Sequence, residues 1–125
     1  MNQPNFTLLY VDAPASSAEF YAGILGSRPV QASPTFVLFA LQSGLMLGLW
    51  SKHAVEPAPA SGAGAAELGF QVESDAMVDA LYTDWLAKNV RMAQGPLDLD
   101  FGRNFLALDP DGHRLRVFAP RGDAA

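Results

Sequence analysis

Hydrophobic residues in this chain fall into short runs, some β-like and some on a helical period, and the runs come twice in the same order. Phe6–Val11 is apolar and β-leaning and reads as a strand, which Asp12-Ala13-Pro14-Ala15 breaks. Ser16-x-x-Glu19 has the form of a capping box with Ser16 as N-cap. Phe20, Tyr21, Ile24 and Leu25 then share one helical face, and Gly26 stops the helix. Thr35–Leu41 and Leu45–Trp50 read as strands joined by a Gln42-Ser43-Gly44 hairpin. The stretch 52–66 holds Pro57 and Pro59 among Ala, Ser and Gly, and reads as a flexible linker. Beyond it, Leu68–Glu73 predicts a strand and Ser74 an N-cap. Met77, Leu81 and Trp85, with Val78 and Leu86, predict a helical stripe that stops at Asn89. Arg91–Ala93 predicts a short strand and Asp98–Phe101 a loop. Asn104–Leu108 and Arg114–Phe118 are strands joined by the turn Asp109-Pro110-Asp111-Gly112-His113.

The two halves overlay residue by residue. At an offset of 61, Val11 falls on Val72, Asp12 on Glu73, Tyr21 on Tyr82 and Leu25 on Leu86. At an offset of 68, Gly44 falls on Gly112, Leu47 on Leu115 and Trp50 on Phe118, so the second half carries a longer connection. Such a repeat predicts two βαβββ modules. Module one spans about 1–51, the linker about 52–66 and module two about 67–120, within one domain of 125 residues.

Composition narrows the function. Half the residues are hydrophobic and 17% are charged, which excludes a disordered segment. Thirteen acidic residues against eight Lys and Arg give −5, which disfavours a nucleic-acid partner, since phosphate contacts need a basic face. The absence of cysteine excludes disulfides, thiolate zinc sites and a Cys nucleophile, and suits a cytoplasmic protein. Apolar runs such as Phe36–Leu41 fall far short of the ~20 residues of a membrane span. Met1–Asn5 has neither the basic nor the apolar region of a leader. The expectation is a soluble, cytoplasmic chain with no membrane partner.

Val11-Asp12, Phe20-Tyr21 and Leu25-Gly26 in the first half, with Phe101-Gly102-Arg103-Asn104-Phe105 and Asp109-Pro110-Asp111-Gly112-His113 in the second, resemble the vicinal oxygen chelate superfamily. That group includes glyoxalase I, bleomycin-resistance proteins and extradiol dioxygenases. The resemblance implies an α+β fold in which two βαβββ modules form curled sheets around a cleft. Many members bind a divalent metal with four side chains, one from the first and one from the last strand of each module. Those positions align here with Phe6, Gly48, Glu67 and Arg116. Phe6 and Gly48 offer no donor, and Arg116 would repel a cation, so one carboxylate is left and neither metal nor cofactor is expected.

If position 6 faces the cleft, strand alternation brings Leu8 and Tyr10 with it. Position 48 brings Met46 and Trp50, and position 116 brings Arg114 and Phe118. This face is aromatic and apolar with one basic spot: its rings stack planar molecules, Met46 adapts to an irregular ligand, and Gly48 leaves room for a flat one. The pattern resembles the metal-free antibiotic-binding branch, of the phenazine-resistance type. The resemblance implies a homodimer that sequesters a planar aromatic drug without transforming it. The ligand-binding candidates are Phe6, Tyr10, Met46, Gly48, Trp50, Glu67, Arg103, Arg116 and Phe118. Several carry two readings. Trp50 is ligand wall or core packing. Arg116 meets a ligand carboxylate or pairs with Glu67. Arg103 reaches the cleft mouth or caps a surface. Tyr10 hydrogen-bonds a ligand or only packs. Trp85 reads as core, and His53, His113, Asp98 and Asp100 as surface. The competing function is a metal-dependent lyase, isomerase or dioxygenase using an atypical donor set, such as Glu67 with His113 or Asp residues.

Overall fold

The computed structural model describes residues 3–121. The chain divides into two compact units between Gly62 and Ala63.

In the first unit the elements are β1 (Phe6–Val11), α1 (Pro14–Leu25), β2 (Gln31–Ala32), β3 (Phe36–Ala40) and β4 (Met46–Ser51). They form a four-stranded mixed sheet in the order β1-β4-β3-β2. β3 and β4 are an antiparallel hairpin whose turn uses Gly44 at φ +95°, a conformation that glycine adopts without Cβ strain. β1 lies parallel to β4, with Phe6 opposite Met46, Leu8 opposite Gly48 and Tyr10 opposite Trp50. α1 packs on β3 and β4, and Val37, Phe39, Leu47 and Leu49 alternate into the buried layer beneath it with Tyr21.

The second unit repeats the plan with β5 (Glu67–Gln71), α2 (Asp75–Ala87), β6 (Arg91–Leu99), β7 (Gly102–Leu108) and β8 (Arg114–Pro120), in the order β5-β8-β7-β6. β5 is parallel to β8, with Glu67 opposite Arg114, Gly69 opposite Arg116 and Gln71 opposite Phe118. Adding 61 to the β1 number and 68 to the β4 number converts the first register into the second. Trp85 of α2 is the largest core residue here. Its ring meets those of Phe70 and Phe105 edge-on, each at a centroid distance of 5.4 Å. The architecture is therefore α+β, built from two βαβββ modules.

Several local expectations change. Ser16 is not the N-cap: Pro14, whose fixed φ and missing N–H suit the first helical position, starts α1 after an extended Ala13 that makes no side-chain cap. Ser74 does cap α2, accepting from Met77 N at 3.2 Å. The buried stripe of α2 runs through Val78 and Trp85, while Met77 and Leu86 are exposed. β6 extends to Leu99, through the expected loop start at Asp98. Gly95 and Pro96 do not end it, because β6 is an edge strand and the pairing with β7 shifts register across them. β2 is a two-residue strand that the sequence pattern did not signal. Among the described residues no helix is long and apolar enough to cross a membrane.

Candidate functional site

Each sheet has one face beneath its own helix, and alternation places most of the expected site residues on the other, far face. In the first unit that face carries Phe6, Leu8 and Tyr10 from β1, Met46, Gly48 and Trp50 from β4, and Phe36 and Leu38 from β3. Phe6, Leu8 and Tyr10 are 47, 42 and 39% exposed, a run of large apolar side chains on an edge strand. Trp50 stands between two rings. Tyr10 meets it at 6.3 Å and 77°, and Phe36 at 6.5 Å and 89°. These edge-on contacts suit the ring quadrupoles and fix the indole rotamer.

Gly48 does not leave open space. A Cβ there would come within 2.6 Å of Leu8 Cδ2 and 3.0 Å of the Phe36 ring, so those two side chains already occupy the gap. Phe36 was missed in the sequence, although the hairpin turn carried the signal. Counting outward from Gln42-Ser43-Gly44 puts residue 40 opposite 46, 38 opposite 48 and 36 opposite 50, as observed.

The far face of the second sheet is charged at one end and aromatic at the other. Glu67 receives Arg116 Nε at 2.7 Å on Oε1, and Arg116 Nη2 at 2.7 Å and Arg114 Nε at 2.9 Å on Oε2. Arg116 Nη1 donates to Asn104 Oδ1 at 2.6 Å, and Asn104 Nδ2 donates to the Leu97 carbonyl at 3.0 Å. Two residues beyond Arg116 on β8, Phe118 meets Phe101 edge-on at 6.1 Å. Arg116 thus forms the pair with Glu67.

Arg103 stands on the opposite face. It alternates with Asn104 along β7, and its Nε donates to Asp79 of α2 at 2.8 Å and its Nη1 to Asp98 at 3.2 Å. Strand parity therefore separates it from Arg116 and Phe118. His53 is not simply solvated: its Nε2 lies 2.8 Å from Asp12 Oδ1, and this bond, then Lys52, holds the Asp12 carboxyl below its ordinary value. In the β7–β8 turn, Asp109 Oδ1 accepts from the backbone N–H of Asp111 and of His113, so the carboxylate organises the turn.

The donor set does not fit a metal. Phe6 and Gly48 carry no ligand atom, both Glu67 oxygens face guanidinium nitrogens, and Arg116 is itself a cation. Among the described residues no three His, Cys, Asp or Glu side chains gather as a metal ion would need.

The same network makes Glu67 acid-sensitive. The Arg116 hydrogen bonds, opposed by partial burial and aided by Arg114, hold its carboxyl at about 2 instead of 4.5. Because the folded value lies below the unfolded one, the pairing stabilises fully above about pH 4.5 and is lost as pH falls toward 2. Glu67→Gln is expected to cost about 1–2 kcal/mol at pH 7, since half of a partly exposed pair is removed. In thermal melts followed by circular dichroism, the gap between variant and wild type is expected to narrow steadily below pH 4.5.

Comparison with known proteins agrees with this architecture. The family model described as Glyoxalase/Bleomycin resistance protein/Dioxygenase superfamily matches residues 3–117. The phenazine antibiotic resistance protein EhpR of Enterobacter agglomerans is 32% identical over 119 residues, covering 91% of this chain and 89% of that protein. A protein of Agrobacterium tumefaciens, solved by solution NMR, is 52% identical and superposes with a TM-score of 0.90, covering 98% of this chain and all of that one. A glyoxalase/bleomycin resistance protein/dioxygenase from Nocardioides superposes with a TM-score of 0.86 at 21% identity, covering 98% of this chain and 86% of that one, a likeness of fold alone.

Proposed function

We propose that this chain, which belongs to the Glyoxalase/Bleomycin resistance protein/Dioxygenase superfamily, binds a planar aromatic small molecule and sequesters it unchanged. The observation that carries this reading is the Tyr10–Trp50–Phe36 ring cluster on a far face where Phe6 and Leu8 are also exposed. Stacking on such a wall contributes about 1–3 kcal/mol per ring, by analogy with bases on aromatic side chains. A braced indole loses little rotamer freedom when a ligand docks, which lowers the entropic cost of binding. The misfit of the donor set to a metal supports binding over metal-dependent chemistry. The likeness to a phenazine antibiotic resistance protein supports a flat, fused-ring antibiotic as ligand and drug resistance as the outcome.

The test is a tryptophan fluorescence titration with planar aromatic antibiotics, phenazines first. Wild type is compared with Trp50→Phe and Trp50→Ala, while the buried Trp85 serves as internal reference. Saturable quenching at micromolar or lower concentration is expected, with most of the signal lost in Trp50→Phe. Affinity is expected to fall about 10–100-fold in Trp50→Ala. No quenching across the panel would overturn the reading. The proposal includes a homodimer, as the family resemblance implies, and a cytoplasmic location, which suits a chain without cysteine. Light scattering on the purified protein checks the first, with the mass of two chains expected.

A further inference from the structure

We infer that Leu8 levels the aromatic wall of the first unit, and that the wall therefore selects fused ring systems with no substituent projecting out of the ring plane. The inference rests on the binding function proposed above and narrows the class of ligand. It involves residues of the first unit alone.

Positions 46, 48 and 50 of β4 share the far face, and the middle one is a glycine. With no side chain at 48, the face would carry a notch between Met46 and Trp50. The notch is nevertheless closed. Gly48 is buried, whereas Met46 and Trp50, its neighbours on that face, are partly exposed. The cover comes from the two flanking strands. Leu8 Cδ2 stands 2.6 Å from the place a Cβ on Gly48 would take, and the Phe36 ring stands 3.0 Å from it. A methyl of Leu8 has therefore moved into the space that a side chain at 48 would fill.

The two covers differ in how firmly they are held. Phe36 lies on the inner strand β3, and its ring is set edge-on against Trp50 at 89°. Leu8 lies on the edge strand β1, directly opposite Gly48, and is 42% exposed. Shortening Leu8 therefore reopens the notch while the Phe36–Trp50 pair stays in place. With Leu8 intact, a flat ring lying over this face meets an even surface and keeps contact along its whole length. A methyl group projecting toward the sheet finds no gap. It must displace Leu8 or lift the rings off the wall, and a lifted ring forfeits its dispersion and stacking contacts. With Leu8 shortened, the space over the Gly48 backbone takes one such methyl.

The experiment compares two tricycles of equal ring count, flat acridine and 9,9-dimethyl-9,10-dihydroacridine, whose methyl groups stand out of the ring plane. Both are titrated by tryptophan fluorescence into wild type, Leu8→Ala, Leu8→Val and the double variant Leu8→Ala/Gly48→Ala. Wild type is expected to bind acridine about tenfold or more tightly than the dimethyl compound. Leu8→Ala is expected to weaken acridine about threefold, through one lost wall contact, and to strengthen the dimethyl compound about tenfold. Opposite shifts of the two probes cannot come from a loss of folding. Leu8→Val, which keeps a β-branched residue in the strand, is expected to show the same crossover in smaller measure. The added Cβ of Gly48→Ala refills the emptied notch, so the double variant is expected to lose the gain for the dimethyl compound. If wild type binds both probes equally, Leu8 does not select and the binding function stands. If Leu8→Ala and Leu8→Val weaken both probes alike, Leu8 is an ordinary wall contact and the assignment is overturned. If the double variant keeps the gain, the notch over Gly48 is not the place where the methyl sits, and the assignment is again overturned. If wild type binds neither probe nor any other planar aromatic, both proposals fall.

Discussion

Gly102→Ala is expected to destabilise the second unit by about 3 kcal/mol or more, the combined cost of backbone strain and collision in a paired strand. Gly102 opens β7 at φ +144°, a region that L-residues rarely adopt. It also lies opposite Pro120, so close to β8 that a Cβ would collide with the Ala119 carbonyl oxygen. That Cβ would stand 3.0 Å from the Ala119 carbonyl carbon and 3.2 Å from Pro120 Cα. These neighbours are backbone and cannot rotate away, so the β7–β8 ladder must part at this end. Gly112→Ala is the informative control. That glycine also has positive φ, +90°, but a Cβ there meets nothing within 4 Å. Only the conformational penalty applies, about 1 kcal/mol. Urea unfolding of the two variants is expected to separate them by about 2 kcal/mol, the difference between these two estimates.

Trp85→Ala is expected to cost about 3–5 kcal/mol in denaturant unfolding, the range for removing a large aromatic from a packed core. Trp85 is 1% exposed and packs against Phe70 and Phe105. Its loss empties the layer between α2 and the sheet. Trp85→Phe is expected to cost only about 1 kcal/mol, for two reasons that act together. The smaller ring fills most of the space. The substitution also removes Nε1, a buried N–H without a hydrogen-bond partner among the described residues. Such an orphan already costs about 1–3 kcal/mol in the wild-type fold. If Trp85→Phe proves as damaging as Trp85→Ala, then shape rather than buried area governs this layer. The Phe variant also leaves Trp50 as the sole indole for ligand titrations.

Much of this fold was legible because the repeat carries register as well as element order. The offsets 61 and 68 superimpose Phe6 and Met46 on Glu67 and Arg114, the pairs that face each other across the two parallel ladders. Alternation then assigns the far-face residues of four strands. What escaped was information held in turns. Phe36 follows from the 42–44 hairpin. Arg103 follows from the 109–113 turn, which sets Asn104 opposite Phe118 and so turns its neighbour toward α2. Local signals misled where two of them competed. Ser16-x-x-Glu19 has capping chemistry, yet Pro14 starts α1 ahead of it. Gly95-Pro96 looks like a break, yet an edge strand tolerates it. The Glu67–Arg116 pair was left open because either side chain could equally have met a ligand. Their separation of 2.7 Å shows that the pair is formed.

The parallel ladders also dictate an order of assembly. The β3–β4 and β7–β8 hairpins close over turns of a few residues, so they can form as soon as their own residues are available. β1 is an edge strand whose partner lies 40 residues further along the chain, and β5 must wait 47 residues for its own, Phe6 seeking Met46 and Glu67 seeking Arg114. The entropy of closing such loops is lost before the first ladder bond compensates for it, so these strands seat late. During synthesis Phe6, Leu8 and Tyr10 leave the ribosome well before β4, the strand that receives them. Tyr10 thus joins Trp50 and Phe36 only after the hairpin that carries those two rings has closed.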